Sequence, residues 1–473
     1  QLGIGTSAGE TVLQSASASG PLTPTSVQAY SETRYGSAMN VQPLRIGKAI
    51  LFTDRTGRKI REWTFYWQAN GYLGPDLMQF SEHITRGADN SDPAGWGIQW
   101  ACYQQLPHQV IWAGRKDGGL IAITYDRDQQ IFAPVRRIIG GNYYGGPALV
   151  ESGAIIPSQD GTYDELWLTV ARTINGSVVR SIEVMTRFFD GAPTDDAFFV
   201  DAGLSSLLTY PAANLTVTGL TDSNAPTDDT PQTLPSAYTG NAIFSADADV
   251  FAAGDVGKIL RVNGGKAVLT AYTDARHVTG QVLRALNSLA PAAANAWSCT
   301  AKRSRMTGLD HLEGETVNIL GDGAPLGTAV VTGGAIDLPD GASASYVTAG
   351  LGYVPVILSV PFEPQRAALA SSQGRMKRID TLYARFHETL GCYFGRRITE
   401  DDGSKRDILE PLETRDAGDP ADSAPPLFSG IKRLSAQGGY DREGQILITQ
   451  SDPLPLTVLA VFARGNVGEM PRP

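Results

Sequence analysis

Three hairpins of one kind recur in the first 190 residues of this 473-residue chain. Ile50-Leu51-Phe52 runs through a turn at Gly57 into Ile60 to Trp67. Val110-Ile111-Trp112 runs through Asp117-Gly118-Gly119 into the alternating Ile121, Ile123 and Tyr125. Leu166-Trp167-Leu168 runs through Asn175-Gly176 into Val178, Arg180, Ile182 and Val184. Each joins a β-rich run to a period-two run through residues that tolerate positive φ. A fainter copy opens the chain with Gly9 as its turn, so glycines 9, 57, 118 and 176 stand 48, 61 and 58 residues apart. A β-solenoid would repeat every ~20–30 residues, whereas a propeller blade of about four strands fills this spacing. The expectation is a mainly-β fold: a β-propeller with inserted small β domains of barrel or sandwich type.

The repeat assigns residues 1–205 to propeller blades and predicts further blades upstream of Gln1, which is not a Met. A hairpin from Ile446 to Gln450, turning at Ser451-Asp452-Pro453 into Leu456 to Val461, resumes the pattern. Residues 365–473 are therefore read as remaining propeller strands, with an exposed loop near 416–427. Between these parts the composition changes twice. Residues 206–304 are rich in Thr, Ala, Asp and Pro, with a loop at 222–235 and a hairpin turning at Asn263-Gly264-Gly265. They are expected to form an autonomous inserted β module. Residues 306–364 read as a second small barrel or sandwich with strands Thr316 to Leu320, Thr328 to Thr332 and Val354 to Val360. A short helix is predicted at Pro75 to Ile84, with Asp76 in its first turn.

The formal charge of −10 argues against tight, sequence-neutral binding of nucleic acid, which needs phosphate-neutralising cations. Cys102, Cys299 and Cys392 are too few and too scattered for a disulfide framework or zinc knuckle, and read as buried thiols of a reducing compartment. No apolar run approaches the ~18 residues of a membrane span. No charged segment followed by an apolar one marks a signal peptide.

The motifs that could carry chemistry are weak. Gly5-Thr6-Ser7-Ala8-Gly9 fits the G-x-S-x-G nucleophile elbow, but a Ser- and Gly-rich stretch follows where the elbow requires a helix. Ser158-Gln159-Asp160-Gly161-Thr162 resembles the turn box of sialidase propellers, with its glycine one place early. Asp310, His311, Glu313 and Glu315 crowd together, yet strand alternation would send them to opposite faces. Asp247 and Asp249 lack the rest of a calcium loop. Gly257-Lys258 lacks the upstream glycine of a phosphate loop. The five histidines are scattered. No catalytic, cofactor-binding or metal-ligating residue is assigned, and no cofactor is expected. Two basic stretches, Lys302-Arg303-Ser304-Arg305 and Arg375, Lys377 and Arg378, read by default as solvated faces, and their functional reading is docking onto an acidic partner or onto DNA phosphate. Trp63, Trp67, Trp96, Trp100, Trp112 and Trp167 are read as inter-blade packing.

Several phrases together resemble one family. Pro43-Leu44-Arg45-Ile46-Gly47 leads into the first hairpin, and Gly71-Tyr72-Leu73-Gly74-Pro75-Asp76-Leu77 precedes Glu82-His83-Ile84-Thr85. Ala101-Cys102-Tyr103-Gln104-Gln105, Thr124-Tyr125-Asp126-Arg127, Asp164-Glu165-Leu166-Trp167-Leu168 and Arg172-Thr173-Ile174-Asn175-Gly176 follow. This run resembles the tail nozzle proteins of short-tailed bacteriophages, also called tail tubular protein B. Gly308 to Glu315 and Lys377-Arg378-Ile379 look like later segments of that family. Residues 240–300 look like a β module inserted in phage tail proteins and similar to a domain of ubiquitin-activating enzymes. The strand around Ala133-Pro134-Val135 departs from the pattern, and Pro134 there implies an edge or a bulge.

The resemblance implies a non-enzymatic virion protein, made in the host bacterial cytoplasm. It implies a homohexameric ring that docks the tail adaptor and fibre or spike proteins and passes double-stranded DNA during genome ejection. Six copies of a −10 chain would carry −60, suiting a channel that does not hold phosphate. The alternative is a glycan-binding or glycan-hydrolysing propeller of a receptor-recognising tail spike. That would need paired carboxylates in a cleft, one with a raised pKa.

Overall fold

The structure, a computed structural model, describes residues 2–16, 20–87, 95–191, 193–221, 240–363, 375–400, 403–415, 425–435 and 439–467. The fold is mainly β, built of multiple antiparallel sheets. Among the described residues the helical turns are 3-10 and no α-helix occurs. The chain divides into two compact units, Gln1–Phe188 and Phe189–Pro473.

The first unit contains four successive meanders. Their strands are Leu2–Gly5, Glu10–Ser15 and Val27–Thr33; then Leu44–Ile46, Ala49–Thr53, Ile60–Tyr66 and Gly71–Leu73; then Ile98–Gln104, Val110–Arg115, Leu120–Asp126 and Ile131–Arg137; then Leu149–Pro157, Asp164–Ile174 and Ser177–Val184. The expected hairpins are present. Thr53 pairs with Ile60, Ala113 with Ile121 and Ile174 with Ser177. The last closes on Asn175 and Gly176 at φ 47° and 75°, the two left-handed positions of a type I′ turn. Pro134 lies on the outermost strand of the third meander with no register shift, so it marks an edge.

A backbone hydrogen bond recurs between consecutive meanders. The hairpin turn of each sheet offers a carbonyl to an amide near the start of the next. Ser37 N–H donates to Thr6 O (2.7 Å), Ile98 N–H to Gly57 O (2.7 Å) and Val150 N–H to Gly118 O (2.9 Å). Apolar cores lie beside these stitches. Val12, Phe52 and Trp63 join the first two sheets. Leu51, Ile60, Ile98, Ile111 and Ile121 join the second and third, and Trp112, Leu120, Val150 and Leu166 the third and fourth. Each such side chain contributes roughly 1.5–3 kcal/mol on burial.

Tryptophans fill the inter-sheet gaps against glycines. A Cβ on Gly3 would stand 2.6 Å from the Trp63 ring, and one on Gly153 would stand 2.5 Å from the Trp100 ring. Trp112 is buried and its indole N–H donates to Gln104 Oε1 at 2.9 Å. Trp67 departs from the expectation. It sits in the 3-10 turn Trp67–Ala69, beyond the strand end, and is 82% exposed. The predicted helix is also corrected: only Glu82–Thr85 is helical, as a 3-10 turn. The Asp76 carboxylate accepts from Met78 N–H (2.9 Å) and pairs with Lys59 (2.9 Å), a local bond that competes with helix formation.

In the second unit, a six-stranded sheet runs in the order Leu215–Thr221, Asn241–Ala246, His277–Arg284, Gly265–Asp274, Ile259–Val262 and Ser298–Thr300. It has its own core around Leu215, Phe244, Leu260, Val282 and Trp297. The strand before it, Asp201–Ser205, pairs with Val347–Leu351, which pairs with Thr316–Gly321. The six-stranded sheet is therefore an excursion from within this four-stranded sheet. The loop read at 222–235 lies outside the described residues, as does 416–424 of the loop near 416–427.

Two strand assignments change. Val356–Leu358, expected in the second module, pairs with Gln445–Thr449. The strands flanking Ser451-Asp452-Pro453 do not form a hairpin. Gln445–Thr449 joins Tyr393–Thr399, while Val458–Val467 joins Lys377–Thr389 in a three-stranded sheet with Phe428–Ser435. Alternation identifies strands, but a Pro-rich connection between two of them is equally able to cross between sheets.

The stitches predict a contrast between two glycines of similar conformation. Gly118 (φ 83°) packs so closely that a Cβ would lie 2.9 Å from the Leu149 Cα, whereas Gly176 (φ 75°) faces open space. Gly118→Ala should lose at least about 1 kcal/mol more than Gly176→Ala in urea unfolding, because only it adds overpacking to the shared φ strain. Equal losses would show that the stitch does not constrain the fold.

Candidate interaction surface

Geometry disposes of the motifs one by one. Gly5 to Gly9 is a strand–turn–strand hairpin closed by Thr6 N–H to Gly9 O (3.0 Å) and Gly9 N–H to Thr6 O (3.3 Å), so Ser7 is not on a nucleophile elbow. Ser158 to Thr162 is likewise a hairpin turn. The Asp160 carboxylate accepts from Ser158 Oγ (2.6 Å), Thr162 N–H (3.1 Å) and Thr162 Oγ1 (2.9 Å). These bonds, the Ser158 one first, pull the Asp160 pKa down to about 2.

Asp310 to Leu312 is a 3-10 turn rather than a strand, which corrects the alternation argument. Glu313 accepts from the Gly333 and Gly334 amides (2.9 and 2.8 Å), and His311 Nε2 meets the Ala202 carbonyl at 2.8 Å. Asp247 is bonded to Asn214 and Asp249 to Arg276, and Lys258 pairs with Asp255. Burial pushes the Cys102, Cys299 and Cys392 thiols up to about 12, 11 and 12. Among the described residues no three His, Cys, Asp or Glu groups are placed to share a metal ion, and no helix is long and apolar enough to cross a membrane.

Charges inside the second unit are largely spent on structure. Asp195, 3% exposed, lies within 3.5 Å of Arg261 and Lys266 and 3.4 Å of Arg284, all from the six-stranded sheet. Arg261 also reaches Asp322 Oδ1 (2.6 Å) and Ser345 Oγ (2.7 Å) near the four-stranded sheet. Asp322 further accepts from the Ser345 and Tyr346 amides. This buried cluster ties the six-stranded sheet to its four-stranded neighbour. Burial alone would raise the Asp322 pKa. The Lys266 charge, the Ser345 bonds and the Arg261 charge outweigh it and hold the value below the usual Asp range.

The two predicted basic stretches are also partly consumed. Arg305 pairs with Asp337, and Arg303 donates to the Leu207 carbonyl. Lys377 is 1% exposed and its backbone bonds to Asp441 in both directions, while Arg378 pairs with Asp380. Lys302, Arg305 and Arg378 are exposed, the last two in ion pairs.

A face that the sequence did not reveal lies on the three-stranded sheet. Cross-strand register puts Arg433, Tyr383 and Phe462 in one row, Ile431, Arg385 and Ala460 in the next, and Arg464 opposite Thr381. Alternation turns Leu382, Ala384, Phe386 and Leu434 into the core, leaving the rows outward. Ile431 and Phe462 are 57% and 55% exposed, and Arg385, Arg433 and Arg464 are exposed. None of the three arginines has an ion pair or side-chain hydrogen bond among the described residues. The strand's own carboxylates, Asp380 and Glu388, lie outside these rows, beside Arg378 and His387. The three cations are 48 and 31 residues apart, so no charge run announces them. The available signal was the period-two pattern Tyr383, Arg385, His387 and Phe462, Arg464. Comparison of the chain with protein-family models and with curated proteins returns no match.

The Asp322 carboxylate supplies a pH test. Its folded pKa is depressed, so its stabilisation is complete above the ordinary Asp value near ~3.9 and is lost as pH falls through the lower folded value. Asp322→Asn should cost about 3 kcal/mol at neutral pH and flatten the fall in stability below pH ~4, read by urea unfolding. An unchanged acid profile would mean the cluster does not depend on this charge.

Proposed function

We propose that this chain is a structural subunit of a phage tail nozzle, forming a ring-shaped channel for genome ejection. In this reading it also docks the tail adaptor and the fibre or spike proteins. The observation that carries the reading is the repeated handover between meanders, in which Thr6 O, Gly57 O and Gly118 O accept amides from the next sheet. Successive sheets stacked by the same bond at the same place support a propeller, in which each blade buries its faces on its neighbours. The sequence phrases that resemble the nozzle family, such as Gly71 to Leu77 and Arg172 to Gly176, point to the same architecture. Stacked sheets whose turns consume carboxylates, with an exposed face of arginines and apolar side chains, suit an assembly part.

The glycan-cleaving alternative needs a proton-donating carboxyl with a raised pKa. The acid of the sialidase-like turn, Asp160, is shifted the opposite way, whereas burial raises Asp196 and Asp452 in the second unit. Double-stranded DNA would pass through the lumen without specific binding. Electron microscopy of the purified chain, or of virions that carry it, should show six-fold rings around a passage wide enough for a duplex. Monomers at all concentrations, or turnover of bacterial polysaccharide, would refute the proposal.

A further inference from the structure

We infer that the outward face of the sheet formed by Lys377–Thr389, Phe428–Ser435 and Val458–Val467 is one side of a head-to-tail contact with a second copy of this chain. The inference rests on the ring reading and names the surface that would close the ring. Charge complementarity supplies the argument. The chain carries −10 in total, and −13 with Arg385, Arg433 and Arg464 set aside. A second copy is therefore net acidic away from this face. The three arginines are exposed, while the other charges on their sheet are paired or lie beyond the rows.

Self-pairing is disfavoured by the same charges. A two-fold contact would bring six guanidiniums together, with Asp380 at the edge of the face already held by Arg378 and Asn466. The face must meet a different surface of its neighbour, which is the heterologous geometry that closes rings. The row Arg433–Tyr383–Phe462 adds the residue types that dominate protein contacts: Arg and aromatics, with Ile431 beside them. Exposed Ile431 and Phe462 favour a protein over a DNA backbone, since phosphates gain nothing from apolar side chains.

The test compares the full chain with the triple variant Arg385→Glu, Arg433→Glu, Arg464→Glu and with Phe462→Ser, by light scattering over a concentration series. None of the three arginines holds an ion pair or side-chain hydrogen bond among the described residues, so the triple variant should keep the parent's unfolding transition. It should raise the concentration for half-assembly at least about ten-fold, and Phe462→Ser should weaken assembly in the same direction. Equal assembly of parent and variants would overturn this inference and leave the ring reading standing. A parent chain that stays monomeric would remove the ring reading and the inference with it. A duplex of about 30 base pairs, titrated at several salt concentrations, covers the remaining case. Duplex binding lost with the three arginines would make the face a phosphate site and overturn the proposed contact.

Discussion

An amide at the start of one sheet that reaches back to the turn carbonyl of the sheet before it recurs through the first unit and sets how its sheets meet. The bond fixes where each meander begins relative to its predecessor, and with it the depth at which the two apolar faces meet. Ile98 illustrates the coupling: its amide is spent on Gly57 O while its side chain, 2% exposed, enters the core between the second and third sheets. Val150 does the same on Gly118. A turn must come very close to accept such a bond, and Gly118 allows that approach. The 48- to 61-residue spacing of the turns is thus the length of chain needed to complete one sheet and return to the stitch of the next.

Carboxylates serve a parallel purpose in both units. Asp54 accepts from the Arg58 and Lys59 amides, Asp274 from Arg276 and His277, and Asp441 from Thr399 and Gly444. In a fold made of turns, such acceptors satisfy amides that no neighbouring strand can reach. The acidity of the chain is therefore partly an architectural consequence of its many hairpins. This tempers the idea that net charge alone describes a lumen. It also gives meaning to a face where three cations stand without acids.

Much of the fold was legible because hairpins are local. Asn175-Gly176 and Asn263-Gly264 specify their turn and register within a few residues, and both appear as read. What failed was non-local or decided by a single competing bond. Nothing in Gln445–Thr449 says that its partners are Tyr393–Thr399 and Val356–Leu358 rather than the following strand. The Asp76 carboxylate, bonding the Met78 amide, replaced a short helix with turns. Charges suffered most. The run Lys302 to Arg305 looked like a surface and is partly tied to Asp337 and Leu207, whereas Arg385, Arg433 and Arg464 become neighbours only through sheet register.

The central claim is that consecutive sheets are held by the same backbone bond. Residue-resolved amide exchange of the native chain addresses it at three amides, those of Ser37, Ile98 and Val150. Ser37 precedes its sheet's first strand and would exchange freely as an ordinary loop amide. The account predicts that all three are protected to a similar degree, comparable with the central strand Val110–Arg115 and well above the exposed turn at Gly161. Fast exchange at Ser37, with protection only at the two amides that lie within strands, would contradict it.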